Sequence, residues 1–193
     1  MVIWFASGNE HKRVELAAIL PEAELRIPED AGIDFAPEED GETFLDNALL
    51  KARALYRIVS EPVLADDSGL CVDALGGRPG VRSARYGEEC GRLLDAVERN
   101  ALLLRELGAE RNRAARFVCA MALIAGEHRF FAVQETLEGE ILREQRGSGG
   151  FGYDPLLYLP AQGRTVAELP AQLKNRLSHR AKAARALRKL IIK

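Results

Sequence analysis

Two consecutive acids after an apolar run are the side chains of this sequence best suited to chemistry. Asp66 and Asp67 directly follow the apolar residues 63–65, and carboxylates in such a place are costly to bury unless they are paired or bound to a cation. Mg²⁺ prefers such oxygens and typically takes one or two carboxylates plus water and substrate phosphates. Because adjacent strand residues point to opposite faces, at most one of the two is expected to face any given cleft unless the chain turns there. A surface acidic turn is the alternative.

Charge is unevenly distributed along the chain. Residues 22–46 carry ten acids and one base, whereas residues 161–193 carry nine bases and one acid. The acidic stretch includes Glu38, Glu39 and Asp40, which could supply a further metal ligand. This division suits a site with a metal on one wall and an anionic ligand on the other, although isolated charge blocks usually face solvent.

A small-residue turn near the start of the chain fits anion binding. Ser7-Gly8-Asn9 follows an apolar run at residues 2–6, and Lys12 lies in the first turn of the helix expected next. Backbone N–H groups at a helix N-terminus favour a negative ligand, and the lysine adds a positive charge. Because the Walker pattern is absent, an ordinary capped turn is the alternative.

The glycine-rich segment 147–152 matches G-x-G-x-x-G by letter. A dinucleotide fingerprint needs a helix directly after it, and Tyr153-Asp154-Pro155 blocks that helix. We therefore predict a flexible loop. Its Phe151 could stack on a nucleobase or anchor the loop in the core.

A histidine and an arginine follow Ser178, which is expected to begin the last helix. Basic side chains are unfavourable at the positive end of a helix dipole. A carbonyl or phosphate oxygen of a ligand could therefore justify His179 and Arg180. Exposure at a frayed helix end is the alternative.

Strands and helices must alternate to position these residues. Hydrophobic periodicity predicts a strand at 2–6, a helix ending before Pro21, a short strand at 63–65, a helix at 93–107 and a hairpin of 117–125 with 129–138. Thr43 and Asp46 are spaced for a capping box, and the helix after them carries Asn47 and Lys51 one turn apart. We predict one α/β domain over residues 1–193.

The composition is that of an ordinary globular protein, with 47% hydrophobic and 29% charged residues among 193. A formal net charge of −2 gives no case for nucleic acid or an anionic membrane as partner. Cys71, Cys90 and Cys119 lack the spacing of a disulfide framework or a zinc site. No basic leader precedes the first apolar run, and no apolar stretch approaches the roughly 20 residues that span a bilayer. We expect a cytoplasmic protein.

Several segments together resemble the inosine/xanthosine triphosphate pyrophosphatase family, enzymes that remove deaminated purine nucleotides. The resemblance runs from end to end, and its specificity lies in the order and spacing of the motifs. The segments are Ser7-Gly8-Asn9 with Lys12; Glu38 with Gly41, Thr43-Phe44, Asn47-Ala48 and Lys51-Ala52; Ala65-Asp66-Asp67-Ser68-Gly69-Leu70; Pro79-Gly80-Val81 with Ser83-Ala84-Arg85-Tyr86; Gly150-Phe151-Gly152-Tyr153-Asp154-Pro155; and Lys174 with Ser178-His179-Arg180.

The resemblance implies a long twisted mixed sheet with flanking helices, two lobes around a nucleotide-binding cleft, and a homodimer. The implied reaction is Mg²⁺-dependent hydrolysis of dITP, ITP, XTP or dXTP between the α and β phosphates. Its products are the nucleoside monophosphate and pyrophosphate. Such hydrolysis prevents incorporation of deaminated nucleotides into DNA and RNA.

The family roles carry over by position. Asp67 is the implied proton acceptor and, with Glu38, a metal ligand, while Ser68 contacts substrate. The phosphates are implied to bind Ser7, Gly8, Asn9, Glu10, His11 and Lys12, assisted by Lys51. The implied base pocket comprises Phe151, Gly152, Tyr153, Asp154, Lys174, His179 and Arg180.

Selectivity for the base would depend on the oxygen at C6. Hypoxanthine and xanthine carry a carbonyl where adenine has an amino group, so donors such as His179 and Arg180 would favour them. Guanine shares this carbonyl and must be rejected at its C2 side. The alternatives are a related pyrophosphatase for modified pyrimidine or other nucleotides and a nucleic-acid-binding module that uses the basic C-terminal stretch.

Overall fold

The computed structural model describes residues 2–88 and 92–191. Strands and helices alternate through most of this part of the chain. The strands are β1 (Val2–Phe5), β2 (Glu24–Arg26), β3 (Val63–Val72), β4 (Ala114–Gly126), β5 (Arg129–Ile141), β6 (Leu157–Leu159) and β7 (Arg164–Thr165). The helices are α1 (Glu10–Ile19), α2 (Phe44–Val59), α3 (Ala96–Leu107), α4 (Ala171–Leu177) and α5 (His179–Ile191).

The strands of the described residues form one mixed sheet in the order β2-β1-β3-β4-β5-β6-β7. β1 runs parallel to β2 and to β3, with Phe5 opposite Leu64. β6 runs antiparallel to β5 and to β7. This confirms the mixed sheet of the predicted α/β fold. The predicted hairpin is also present, since β4 and β5 are neighbours joined by two residues.

The chain divides into two compact units, and each has its own apolar core. The first unit comprises Met1–Ser68, Cys119–Glu135 and Asn175–Lys193, and the second comprises Gly69–Val118 and Thr136–Lys174. The core of the first includes Phe5, Leu16, Leu64, Met121 and Leu187. The core of the second includes Leu70, Leu103, Ile141, Leu156 and Leu157. The single domain over residues 1–193 stays a prediction.

The first turns of two helices are fixed as their sequences predict. The Asn9 side chain caps α1 by accepting the Lys12 N–H at 3.1 Å. Thr43 and Asp46 form the expected capping box of α2, in which each side chain accepts the other residue's backbone N–H at 3.1 Å. The apolar residues Phe44, Ala48, Ala52 and Leu55 recur every three or four positions and are buried on one face of α2. The first turns of α1 and α2 are therefore each fixed by side-chain caps.

Strand β3 is longer than the sequence predicts. It continues through both aspartates to Val72 instead of ending at Asp66. The predicted end was wrong because both carboxylates are paired with lysine or arginine side chains from other elements. This pairing offsets the cost of burying the two acids within the strand.

Other sequence expectations concern loops, cysteines and membrane segments. No helix follows the glycine-rich segment directly, since residues 153–156 form turns and β6 comes next. Cys71 and Cys119 are free thiols, and Cys90 lies outside the described residues. Within residues 2–88 and 92–191, no helix has the length and apolar character needed to cross a membrane.

Candidate functional site

Asp66 is completely buried and is held by cations from two helices. Lys12 Nζ of α1 lies 3.1 Å from its Oδ1, and Arg180 Nε of α5 lies 3.1 Å from its Oδ2. Burial opposes ionisation of Asp66, but the attraction of Lys12 and Arg180 outweighs it and holds the pKa of this carboxyl well below its usual value. Asp66 is therefore a charged anchor between α1 and α5.

Arg180 distributes its guanidinium over three acceptors and is only 1% exposed. Besides Asp66, its Nη1 donates to Glu15 Oε2 at 2.6 Å and its Nη2 donates to Ser68 Oγ at 2.9 Å. These protein partners account for a positive charge at the start of α5, so a bound ligand is not needed to explain it. The predicted contact of Arg180 with the base stays a prediction. Glu15 is a member of the cluster that sequence reasoning missed.

Asp67 faces a different helix from Asp66, as strand alternation predicts. Asn47 Nδ2 of α2 donates to its Oδ2 at 3.1 Å, and Lys51 Nζ lies 3.5 Å from its Oδ1. Burial raises the pKa of Asp67 above its ordinary value, and the opposing attraction of Lys51 does not cancel this effect. The proposed proton acceptor is thus a poorly solvated carboxyl group.

Lys51 bridges Asp67 to the acidic stretch. Its Nζ lies 3.0 Å from Glu39 Oε1, and its side chain is almost fully buried. Burial works against its charge, but the attraction of Asp67 and the neighbouring acids outweighs burial and raises the pKa of Lys51. The family resemblance implies Glu38 as the metal ligand, whereas in the structure Glu38 is exposed and its neighbour Glu39 contacts Lys51. Sequence reasoning named Glu39 only as one member of an acidic cluster.

Asn47 joins the same two segments one helical turn before Lys51. The Gly41 N–H donates to Asn47 Oδ1 at 2.8 Å, while Asn47 Nδ2 donates to Asp67. Asn47 is 1% exposed, so both contacts are shielded from water. A Cβ at Gly41 would lie 2.6 Å from Asn47 Oδ1, which leaves no room for a side chain there.

The predicted phosphate-binding residues lie together at the N-terminus of α1. The Asn9 N–H donates to Ser7 Oγ at 3.2 Å, and residues 8–11 are exposed. Glu10 is bound by Arg13 through two contacts of 2.7 Å. Lys12 connects this turn to Asp66, so the predicted phosphate turn and the acidic pair are physically linked.

A second cluster of predicted residues lies within the second unit. Lys174 Nζ of α4 is 2.6 Å from Asp154 Oδ2 and 4.8 Å from the centre of the Phe151 ring. The Phe151 N–H donates to the same Asp154 oxygen at 2.9 Å. Gly150 has a φ of +70°, and a Cβ there would overlap Asp154 Oδ2. The loop is thus clamped against α4 with its aromatic ring beside an ammonium group.

The remaining predicted base-pocket residues are also buried or tied to neighbours. The Tyr153 hydroxyl donates to the Ser83 carbonyl at 2.9 Å, and Asn100 Nδ2 donates to the Gly152 carbonyl at 3.1 Å. Burial raises the pKa of Tyr153, so this hydroxyl stays protonated. His179 is buried at the start of α5 in the first unit.

The acidic side chains near Lys51 supply only part of the oxygen ligands that Mg²⁺ needs, and a bound nucleotide would supply others. Among residues 2–88 and 92–191, no three His, Cys, Asp or Glu side chains stand together as a metal cage. Asp66 is already held by Lys12 and Arg180, whereas Asp67 and Glu39 share one ammonium group. Because Mg²⁺ often uses only one or two carboxylates and takes phosphate oxygens as well, this donor set suits a metal that binds together with a nucleotide.

Similarity to known proteins extends over nearly the whole chain. Residues 3–190 match the model of the Ham1 family. A protein of Treponema denticola named dITP/XTP pyrophosphatase is 49% identical over 191 residues, which cover 99% of this chain and 98% of the relative. A protein of Geobacillus kaustophilus with the same name is 46% identical over 185 residues, covering 94% of this chain and 89% of the relative.

Solved structures show the same similarity. The Ham1 proteins of Staphylococcus aureus and Coxiella burnetii match with a TM-score of 0.89 each, at 36% and 38% identity. Each comparison covers 99% of this chain and 98% of the solved one. The resemblance seen in the sequence motifs is confirmed, and the chain belongs to the Ham1 family.

Proposed function

We propose that this protein is a nucleoside-triphosphate pyrophosphatase that hydrolyses dITP, ITP, XTP and dXTP to the monophosphate and pyrophosphate. The observation that carries the proposal is the buried Asp66-Asp67 pair, with Lys12 and Lys51 bound to opposite members of it. Relatives that match over nearly their full length are named dITP/XTP pyrophosphatases. Such an enzyme keeps deaminated nucleotides out of DNA and RNA.

The lysines and the phosphate turn bind the triphosphate. Phosphoryl transfer depends on positioning and charge neutralisation more than on covalent help from the protein. The start of α1 offers backbone N–H groups to a phosphate oxygen, and Lys12 provides positive charge within the first turn of the same helix. Lys51 supplies a second cation beside Asp67. Ser68, whose hydroxyl is fixed by Arg180, is a substrate-contacting residue in this proposal.

Asp67 accepts the proton of the attacking water. In the metal-free protein, burial raises the pKa of this carboxyl. Asn47 fixes its orientation through Oδ2, and Lys51 contacts the other carboxylate oxygen. Asp66 keeps β3 anchored to α1 and α5 during turnover.

We assign Mg²⁺ to Asp67 and Glu39. A bound Mg²⁺ supplies charge neutralisation at phosphate oxygens and lowers the pKa of bound water. Glu39 is chosen over Glu38 because Lys51 holds Glu39 next to Asp67, whereas Glu38 is exposed. Glu39→Gln is therefore expected to raise the Mg²⁺ concentration for half-maximal rate about 10-fold or more.

Glu38→Gln is the matched control for this assignment. It makes the same change one residue earlier and is expected to leave the Mg²⁺ requirement unchanged. Calorimetric titration of nucleotide-loaded protein with Mg²⁺ gives an independent readout of binding. A raised requirement in Glu38→Gln alone would return the metal ligand to Glu38.

The cluster around Phe151 is proposed to bind the base. Phe151 offers a ring for stacking, and Lys174 and Asp154 hold its loop in place. Stacking is tolerant of base identity, so discrimination against adenine requires hydrogen-bond donors to the C6 oxygen. His179 and Arg180 are the predicted donors.

Pyrophosphate release across a nucleotide panel tests the proposed activity. With Mg²⁺ present, we expect kcat/KM for dITP, ITP and XTP to exceed that for ATP and GTP by about 100-fold or more. Equal rates on all five would rule out the selectivity. Preferential hydrolysis of modified pyrimidine triphosphates would instead support the other pyrophosphatase class, and tight salt-sensitive DNA binding without hydrolysis would support the nucleic-acid-binding module.

We also propose that the protein is a homodimer built on one face of α2. A shallow groove along this helix is lined by Asp46, Leu49, Leu50, Arg53, Ala54 and Arg57. Arg53 and Arg57 are exposed, and neither takes part in an ion pair within the described residues. Their positions lie on one helical stripe, which a second copy could cover.

A twofold axis makes this face complementary to itself. Two antiparallel copies of α2 would set Asp46 against Arg57 of the partner subunit, and the leucines between them would meet in the middle. Such isologous contacts are common in homodimers. Sedimentation at micromolar concentration should give a dimer for the wild type and a monomer for Arg57→Glu. Lys189→Glu, which changes an exposed residue of α5, should stay dimeric, and a monomeric wild type would contradict the proposal.

A further inference from the structure

We infer that Asn47 is a positioning residue that orients Asp67 and fixes its spacing from the acidic segment around Glu39. The inference rests on the proposed function, because Asp67 is the proton acceptor of that reaction. Asn47 itself touches neither substrate nor metal in this proposal. Its effect passes through the Asp67 carboxylate and the Gly41 backbone.

Asn47 and Lys51 form two parallel bridges on the same side of α2. Both join residues 39–41 to Asp67, the first through Gly41 N–H and the second through Glu39 Oε1. Side chains four residues apart lie one above the other on a helix. The capping box at Thr43 and Asp46 fixes the turn from which both bridges start. The acidic segment is therefore held at two points, one neutral and one charged.

The Gly41 N–H determines which way the Asn47 amide faces. Of the two polar atoms of the Asn47 amide only the oxygen can accept an N–H, so Oδ1 must point to Gly41 and Nδ2 must point to Asp67. The distances of 2.8 Å and 3.1 Å agree with this orientation. The result is a relay in which Gly41 orients Asn47 and Asn47 orients Asp67.

The relay suits an amide better than any other side chain of similar size. Asn47 needs one acceptor and one donor at the same time, and it must add no charge beside Asp67. Aspartate keeps the acceptor for Gly41 but loses the donor and brings a second carboxylate to Asp67 Oδ2. Leucine fills similar volume but offers neither group. A hydrogen bond to a buried charged group is among the stronger ones in proteins.

Asn47→Asp separates the two halves of the relay. The Gly41 N–H keeps an acceptor, so its hydrogen exchange, followed by NMR, should stay as slow as in the wild type. The Asp67 carboxylate loses its donor, so kcat for ITP should fall about 10- to 100-fold. KM and the Kd for a non-hydrolysable ITP analogue should change less than about 3-fold, because phosphate and base contacts remain.

Gly41→Ala tests the relay from its other end without replacing Asn47. The new Cβ would lie 2.6 Å from Asn47 Oδ1 and displace it, so a similar fall in kcat is expected even if Asn47→Asp folds poorly. Gly126→Ala is the matched control. A Cβ at Gly126 would meet nothing within 4 Å, and this variant should keep wild-type kcat.

The outcomes separate this inference from the proposed function. A wild-type protein that releases pyrophosphate from no nucleotide would overturn the function and the inference with it. An active wild type whose Asn47→Asp and Gly41→Ala variants fold and keep kcat within about 3-fold would overturn the inference alone. If both variants instead show a raised KM and a lowered thermal stability with an unchanged kcat, the inference would also be overturned. That result would indicate that Asn47 has only a structural role.

Discussion

Asp66 and Asp67 are neighbours on β3, yet their carboxylates are bound by different helices. Asp66 is held by α1 and α5, and Asp67 by α2. The pKa of Asp66 is lowered because the attraction of its cations outweighs burial, whereas burial prevails at Asp67 and raises the pKa there. One peptide bond thus separates a fixed structural charge from a group suited to accept a proton.

Asp67→Asn should abolish turnover while nucleotide binding persists. Asparagine matches aspartate in size but cannot accept a proton from water, and loss of a general base typically costs about 10²–10⁴-fold in rate. Single-turnover hydrolysis of dITP and binding of a non-hydrolysable analogue measure the two effects. Asp73→Asn, the same change at an ion pair with Arg116 in the second unit, is the control and should keep its activity. Near-normal turnover in Asp67→Asn would refute its central role.

Lys51→Met should destabilise the fold as well as the reaction. The substitution removes a buried ammonium group and leaves Asp67 and Glu39 without their shared cation. Breaking a buried ion pair by removing one partner costs about 3–5 kcal/mol. Urea unfolding at pH 7 measures this loss, and Lys189→Met on the exposed side of α5 should stay within about 0.5 kcal/mol of wild type. A decrease of less than about 1 kcal/mol in the free energy of unfolding of Lys51→Met would mean that water solvates the Asp67 and Glu39 carboxylates.

Gly150→Ala should weaken nucleotide binding more than it weakens the fold. Both Gly150 and Gly163 have positive φ angles, of +70° and +63°, but only a Cβ at Gly150 meets another group. Each alanine should cost about 1 kcal/mol of stability through backbone strain. Only Gly150→Ala should also displace Asp154, loosen Phe151 and raise KM for ITP. A KM effect of the same size in Gly163→Ala would assign the change to backbone strain.

Glu98 should contribute a pH-dependent part of the stability of the second unit. Its hydrogen bonds to Arg92 and to the Asp95 N–H lower its pKa from 4.5 to about 2. A group whose pKa is lowered on folding stabilises the protein above its unfolded pKa and loses that effect as the pH falls through the folded one. The Tm difference between wild type and Glu98→Gln should therefore be constant above pH 4.5 and shrink between pH 4.5 and 2. A Tm difference that does not vary with pH would show that the charge of Glu98 does not contribute to stability.

Local signals in the sequence predict the elements that carry the site. The Thr43 to Asp46 spacing predicts the start of α2, and the periodicity of its apolar residues predicts its buried face, because both depend on contacts within one or two turns. The turn at Ser7 and the helix after it follow in the same way. The glycine-rich loop is predicted by Pro155, which prevents a helix.

Long-range pairing is the part that the sequence does not reveal. The contacts of Asp66 with Lys12 and Arg180 span 54 and 114 residues, so the continued path of β3 could not be inferred from the residues near it. The partners of Arg180 likewise come from α1 and β3. Glu38 and Glu39 are identical in type, and only the three-dimensional path of the segment shows that Glu39 contacts Lys51.

Two consecutive residues of α2 accept backbone hydrogen bonds from the segment that leads into the helix. Asn47 accepts the Gly41 N–H, and Asp46 accepts the Thr43 N–H. Only Glu42 lies between these two attachment points, so an inserted or deleted residue there must break one of them. Upstream of Glu39, the next backbone hydrogen bonds among the described residues join Ile33 to Pro28 and Gly32 to Glu29, around a separate short helical turn. Length variation in this family is therefore expected upstream of Glu39, while the distance from Glu39 to the helix should be invariant.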